Sequence, residues 1–453
     1  MSDSGQGSLS QLPQIEKLLQ TEQLRSWFSR LSRPLVARLA ACAVEEAKEK
    51  ILAGEAFPGN EAILQAAVQR CRDAGRRRIH RLINATGVAL HTNLGRTPIS
   101  TTAWQAAEAV NTRSCNLEFD LQTGKRGKRN GIVPDLLGLL VGAEDALMVN
   151  NNAAAVFLIL SSLANGREVI VSRGEQVQIG GGFRIPEILA YAGARMVEVG
   201  TTNITRLADY TAAFSPDTAM VLIVHNSNFR IRGFASRPSV RELAAGLPEE
   251  VLLVVDQGSG TTTERLPGEQ SVSHYLDSGA HLVSFSGDKV LGGPQAGLIV
   301  GRQDLIQILS QHPLNRIFRP GKTIYSLMEE TLVSRLNASA ITPVEALLRL
   351  SMEELRKRGE SLFAGLPESG LRLVDSTATT GGGSAPDERF PSLSIELETD
   401  AKPQELLAAL RELDPPIIGT IVEGRVQLNL ATLLPDDLPS VREALGRLSR
   451  GDA

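Results

Sequence analysis

The stretch LVSFSGDKVLGGPQAGLIV, residues 282–300, decides the fold. Two apolar runs, LVSF (282–285) and GLIV (297–300), flank a polar, glycine-rich bend that carries Lys289. Both runs are continuously apolar rather than alternating, the pattern of strands buried on both faces. Only 11 residues separate them, too few for a helical crossover. The pair is therefore expected to be antiparallel, with Gly292-Gly293-Pro294 reversing the chain behind Lys289.

Five upstream runs repeat the pattern: ALMV (146–149), EVIV (168–171), RMVEV (195–199), MVLIV (220–224) and VLLVV (251–255). Amphipathic stretches such as 153–164 and 239–246 lie between them. Alternating strands and helices predict an α/β fold, a mostly parallel seven-stranded sheet with helices on both faces. This region is placed at 82–330. Ahead of it, 1–81 reads as a helical domain after a polar tail at 1–10. Leu24, Trp27, Phe28 and Leu31 recur at helical spacing. Ser32 and Pro34 suit a second helix start, with Leu35, Leu39 and Val44 inward and Glu46 paired with Lys50. Asn60 is a candidate cap for a third helix, which ends in RRRIHR (76–81).

Residues 331–453 read as a smaller α/β domain. Helical patterns at 343–364, 402–413 and 438–449 enclose SLSIELE (392–398) and the pair PIIGTI and RVQLNL, which turns at Val422-Glu423-Gly424. GGGSAPD (381–387) reads as a flexible link.

Composition narrows the classes. The chain has 453 residues, 42% hydrophobic and 22% charged, which is ordinary globular chemistry. Net charge is −4, but residues 1–85 hold 13 Lys and Arg against 9 Asp and Glu. A basic segment on an acidic body hints at a polyanionic partner. Cys42, Cys71 and Cys115 form no C-x-x-C, so neither a disulfide framework nor a metal site is expected, and each reads as a small packing residue. There is no signal-peptide pattern and no apolar run long enough to span a bilayer, so a cytoplasmic protein is expected.

Ligands of open α/β sheets sit beyond the carboxyl ends of the strands. Asp256 follows VLLVV, His225 follows MVLIV, the Asn150-Asn151-Asn152 run follows ALMV, and Ser286 and Lys289 follow LVSF. Each has a plainer reading alone: a turn cap, a core histidine, a helix cap, a solvated lysine. Together they suit pyridoxal 5′-phosphate. That cofactor needs a lysine amine, an acid facing its ring nitrogen, and donors for its phosphate. Asp256 supplies the acid. Asn152, Ala153 and Ala154 open a helix whose amides suit the phosphate, with Ser286 adding a hydroxyl and His225 a further contact. Arg96 in HTNLGR, and Arg316 and Arg319 in NRIFRPGK, are candidate oxyanion clamps, the last two on one face if helical.

These motifs, with INATGVALHTNLGR (83–96), VNNNAAAV (149–156), VSRGEQVQIGGGFRIPEI (171–188), VGTTNITRLADY (199–210), VHNSNFRIRGF (224–234), SFSGDKVLGGPQAGLIVG (284–301) and HPLNRIFRPGK (312–322), resemble bacterial L-seryl-tRNA(Sec) selenium transferase. The resemblance spans nearly the whole chain. It implies a fold-type-I pyridoxal-phosphate transferase core. It also implies conversion of seryl-tRNA(Sec) to selenocysteinyl-tRNA(Sec) with selenophosphate, by way of an aminoacrylyl-tRNA intermediate on the cofactor. Lys289 would be the cofactor lysine, and Arg96, Arg316 and Arg319 would lie near selenophosphate. Residues 1–81 would hold the tRNA, in a decamer built from dimers. Thr420 and Ala431 stand where the family tends to carry arginine. A serine esterified to tRNA has no free carboxylate for such arginines to bind. The alternative is a pyridoxal-phosphate lyase acting on a small amino acid or amino sugar, which would not need the tRNA-binding segment.

Overall fold

The computed structural model describes residues 9–448 apart from 177, 180–181, 226–230, 232, 263–265, 340, 367–369 and 386–387. Most of the expected polar tail, parts of VSRGEQVQIGGGFRIPEI and VHNSNFRIRGF, and the last residues of GGGSAPD thus lie outside the described residues. The chain forms two compact units, 1–81 and 82–453.

The first unit is helical. Its long helices, α1 (Arg33–Leu52) and α2 (Asn60–Arg76), pack with three short ones, Ile15–Leu19, Glu22–Arg25 and Phe28–Leu31. The expected single helix through Leu24 and Leu31 is thus two separate turns. On α1 the buried stripe is Val36, Ala40, Ala43, Ala47 and Ile51. Leu35, Leu39 and Val44, expected to point inward, only flank that core. Alanines at the centre of the stripe let two helices approach closely. Glu46 does pair with Lys50, at 3.0 Å, and also with Arg70. Asn60 is the first helical residue rather than the cap, which is Gly59 at φ 91°.

The second unit is built on a seven-stranded sheet. Its strands are β1 (Asp145–Val149), β2 (Glu168–Ser172), β3 (Arg195–Val199), β4 (Thr218–Val224), β5 (Leu252–Gly258), β6 (Leu282–Ser286) and β7 (Gly297–Gly301). The order is β1-β7-β6-β5-β4-β2-β3. All neighbours are parallel except β7, which runs antiparallel to β6 and β1. Gly297 pairs with Ser286, so the bend carrying Lys289 does return as the antiparallel strand. Both sheet faces are buried: Val221 and Ile223 face one core, Met220, Leu222 and Val224 the other. That is the physical reason the strands read as unbroken apolar runs.

A four-stranded antiparallel sheet follows, with order β8-β9-β11-β10: β8 (Leu371–Ala378), β9 (Phe390–Leu397), β10 (Thr420–Val422) and β11 (Arg425–Asn429). β8 has no counterpart in the sequence reading. LRLVDSTA, at a sheet edge, is broken by Arg372 and Asp375 and keeps no strict two-residue period, a weak signal. The helical pattern at 343–364 is two helices, Pro343–Arg349 and Met352–Phe363, the second restarted by a Ser351 cap. Residues 83–90 also join this layer rather than the large sheet. Ile83–Asn84 pairs in parallel with Ile417–Ile418, and Leu90 donates its N–H to Thr380 O at 2.7 Å. Cys71 is buried, but Cys42 and Cys115 are exposed and so are not packing residues. No helix among the described residues is long and apolar enough to cross a membrane.

Candidate active site

The carboxyl ends of β4, β5 and β6 form the site. Val224 pairs with Asp256, and Asp256 with Ser284, so Asp256 lies inside β5 rather than after it. A register shift follows it, where Gly258 takes φ 70°. Such a bulge ends pairing and re-aims side chains beside a site. His225 continues β4, buried, with its main-chain N–H on Asp256 O at 2.9 Å. Ser286 closes β6, buried, with its main chain paired to Gly297.

Helix α3 (Asn152–Leu163) begins where β1 ends. Its start packs onto β7: a Cβ on Gly297 would stand 2.1 Å from Asn151 O. Asn152 Nδ2 donates to Asp256 Oδ1 at 2.7 Å. The Ala154 N–H goes to Asn151 Oδ1 at 2.9 Å. This corrects the expected phosphate cradle. Asn151 is the cap, and Ala154 has no amide to spare. The Asn152 side chain serves Asp256. The Asn152 and Ala153 amides, in the first turn, have no intrahelical acceptor and remain for an anion.

Lys289 sits half-buried in the bend after β6. Burial first, then the Arg96 charge, push its amine below the usual lysine range, against Asp256, Asp288 and Glu269. Burial pushes the Asp256 carboxyl up, opposed by the Asn152 amide and by Lys289 and His225. Arg96, in the left-handed region at φ 63°, reaches the same bend. Its Nη1 donates to Asp288 Oδ2 at 2.8 Å. The motif beside Lys289 thus contains a residue the sequence reading passed over. Asp288, between Ser286 and Lys289, is the anchor for Arg96.

Two more elements are invisible in the strand pattern. The turn Thr380–Ala385 is a wall of the site and not a flexible link. Thr380, Ser384 and Ala385 are fully buried. A Cβ on Gly383 would lie 2.6 Å from Lys289 Nζ. Glu269, between β5 and β6, ties that turn to His225.

Arg316 and Arg319 lie elsewhere. They border a cavity of about 700 Å³ along β1, together with Lys128, Arg129, His312 and Tyr325. The helix Pro313–Phe318 stops before Arg319, which is extended, so the two do not share a helical face. Arg319 lies 3.4 Å from Glu118, which also pairs with Arg126 and Arg129.

A second cavity, about 300 Å³, opens beside His225 and Glu269 and is lined by Ser172, Glu175, Thr205 and Arg237 among others. Glu175 is buried, and burial raises its carboxyl to about 7.

The residues fit pyridoxal phosphate on one observation in particular. Among the described residues, Asn152 Oδ1, both ring nitrogens of His225, Asp288 Oδ1, Thr97 Oγ1 and His91 Nδ1 are buried without a hydrogen-bond partner. Buried polar atoms are costly to leave unpaired, so a polar ligand is the economical explanation. Lys289, the Asp256 carboxyl and the free α3 amides supply the amine, acid and anion donors this cofactor requires.

The L-seryl-tRNA selenium transferase family model matches residues 82–434, beginning where the second unit begins. An L-seryl-tRNA(Sec) selenium transferase of Moorella thermoacetica is 41% identical over 460 residues, covering 98% of this chain and 97% of its own. One from Geobacter sulfurreducens is 40% identical over 461 residues, covering 97% and 99%. Among solved structures, D-glucosaminate-6-phosphate ammonia-lyase superposes with a TM-score of 0.60 at 18% identity, covering 84% of this chain and 98% of that one. At that identity the likeness concerns the fold alone.

Proposed function

This chain belongs to the L-seryl-tRNA(Sec) selenium transferase family, and from that premise we propose that it converts seryl-tRNA(Sec) to selenocysteinyl-tRNA(Sec) with selenophosphate and pyridoxal phosphate. The observation that carries the reading is identity of 41% across 98% of the chain, joined to a glycine-lined bend in which Lys289 meets Asp256, Asp288 and Arg96.

When bound, pyridoxal phosphate supplies an electron sink for chemistry at the serine Cα and Cβ. Lys289 would hold it through its amine. Asp256 would keep its ring nitrogen protonated, with Asn152 fixing the carboxylate's direction. The Asn152 and Ala153 amides would take its phosphate, and His225 and Ser286 would line its edge. The lowered pKa of Lys289 suits a base that takes the Cα proton and returns it. Arg96, oriented by Asp288, would hold the selenophosphate anion while its selenium takes the place of the departing serine hydroxyl and water cleaves the Se–P bond, releasing phosphate. By the family resemblance Arg316 and Arg319 would also serve that anion, although within one chain they border the cavity along β1. Residues 1–81 would carry the tRNA in a cytoplasmic homodecamer built from dimers.

The test is one incubation of purified protein with seryl-tRNA(Sec) and selenophosphate, followed by identification of the esterified amino acid. Selenocysteine is the expected product. Serine alone, recovered from protein with cofactor bound, overturns the reading.

A further inference from the structure

Glu269 lies at no strand end and in no motif, yet its side chain is 1% exposed. Both of its oxygens face elements of the active site. Oε1 accepts the Ala385 N–H at 2.7 Å. Oε2 lies 3.1 Å from His225 Nε2, at ion-pair distance though outside hydrogen-bond geometry. Burial opposes its charge, but the His225 ring and the Ala385 amide hold its carboxyl below the usual range.

Each contact leads to the cofactor lysine or its acid. Ala385 closes the turn in which the Thr380 hydroxyl donates to Ser384 O at 2.5 Å and which sets Gly383 against Lys289. His225 is bound through its main chain to Asp256. One carboxylate therefore joins the end of β4 to the wall behind Lys289.

We propose that Glu269 is a positioning residue: it fixes the Nε2 edge of His225 and clamps the Thr380–Ala385 turn behind Lys289. An ionised carboxylate offers only acceptors, so it requires hydrogen on both Nε2 and the Ala385 nitrogen. The His225 Nδ1, which has no hydrogen-bond partner among the described residues and does not face Glu269, is then the ring atom left to a ligand. The proposal rests on the pyridoxal-phosphate reading of this site.

The test compares full-length wild type with Glu269→Gln and Glu269→Ala. The Gln variant keeps an acceptor for Ala385 but must present amide hydrogens to His225, which reverses the nitrogen that carries hydrogen. It is expected to raise the Kd for pyridoxal phosphate at least about tenfold and to shift the absorbance maximum of the bound cofactor. In cofactor-free protein its hydrogen exchange over Thr380–Ala385 stays at the wild-type rate. The Ala variant is expected to speed that exchange at least about tenfold as well. Wild-type Kd and absorbance in the Gln variant overturn the proposal. So does unchanged exchange in the Ala variant. Wild-type protein that binds no pyridoxal phosphate overturns the cofactor reading instead, while the exchange comparison still decides the clamp.

Discussion

Gly383 and Lys289, 94 positions apart in the chain, are in such close contact that a Cβ on the glycine would stand 2.6 Å from Nζ and 2.9 Å from Cε. Gly383 also holds φ 90°, where L side chains are strained. Gly383→Ala should lower stability by about 1–3 kcal/mol and displace the lysine. Thermal unfolding of the cofactor-free variant and titration with pyridoxal phosphate would show it. A variant that melts and binds like wild type would mean the turn gives way freely.

Lys289→Ala should abolish the borohydride-reducible cofactor adduct and lower turnover by at least about 10²–10⁴-fold, the range for a lost acid–base group. Retained turnover would remove Lys289 from the chemistry.

Asp256 is raised by burial, so folding favours its protonated form. In cofactor-free protein this contribution to stability is present below the carboxylate's unfolded pKa and lost as pH rises through the folded one. Asp256→Asn should therefore stabilise cofactor-free protein at neutral pH, with the gain shrinking as pH falls, while weakening cofactor binding. Melting curves across pH check the sign. A variant less stable at neutral pH would refute it.

Glu175, raised to about 7, behaves likewise over a known window. Its stabilising contribution holds below about pH 4.3 and disappears as pH rises through about 7. Relative to wild type, Glu175→Gln should gain up to about 3 kcal/mol between those limits. The Val224 N–H, 3.2 Å from Oε2, keeps its acceptor in the variant. Denaturant unfolding at both pH values measures the difference, and equal stabilities would contradict the raised pKa.

Arg96 and Asp288 share a 2.8 Å ion pair beside Lys289, with Asp288 the more buried partner. Arg96→Ala and Asp288→Ala should each raise the KM for selenophosphate. Their double-mutant cycle should show a coupling of about 0.5–3 kcal/mol. Additive effects would mean the pair does not position the arginine.

The seven central strands were legible because a strand covered on both faces must be apolar throughout. The residues just past them were legible because strand ends mark the rim of such a sheet. Asp288 and Glu269 were not, since a lone acid in a loop carries no period. The edge strand Leu371–Ala378 was missed because Arg372, Asp375 and a polar end leave it neither a continuous apolar run nor a clean alternation. Arg316 and Arg319 were grouped with Arg96 by side-chain chemistry and by the family resemblance, and within one chain they border a cavity along β1.

The sequence by itself determined the α/β class, the antiparallel return after the strand 282–286 and the place of Lys289 in the bend between, because burial and turn chemistry are written locally. Only the tertiary structure decided what surrounds that lysine. Gly383 packs against it from a distant turn, Glu269 holds that turn from another loop, and Asn152 binds Asp256 from a helix start. A glycine's fit or a carboxylate's partner depends on which segments folding brings together, and no local pattern records that.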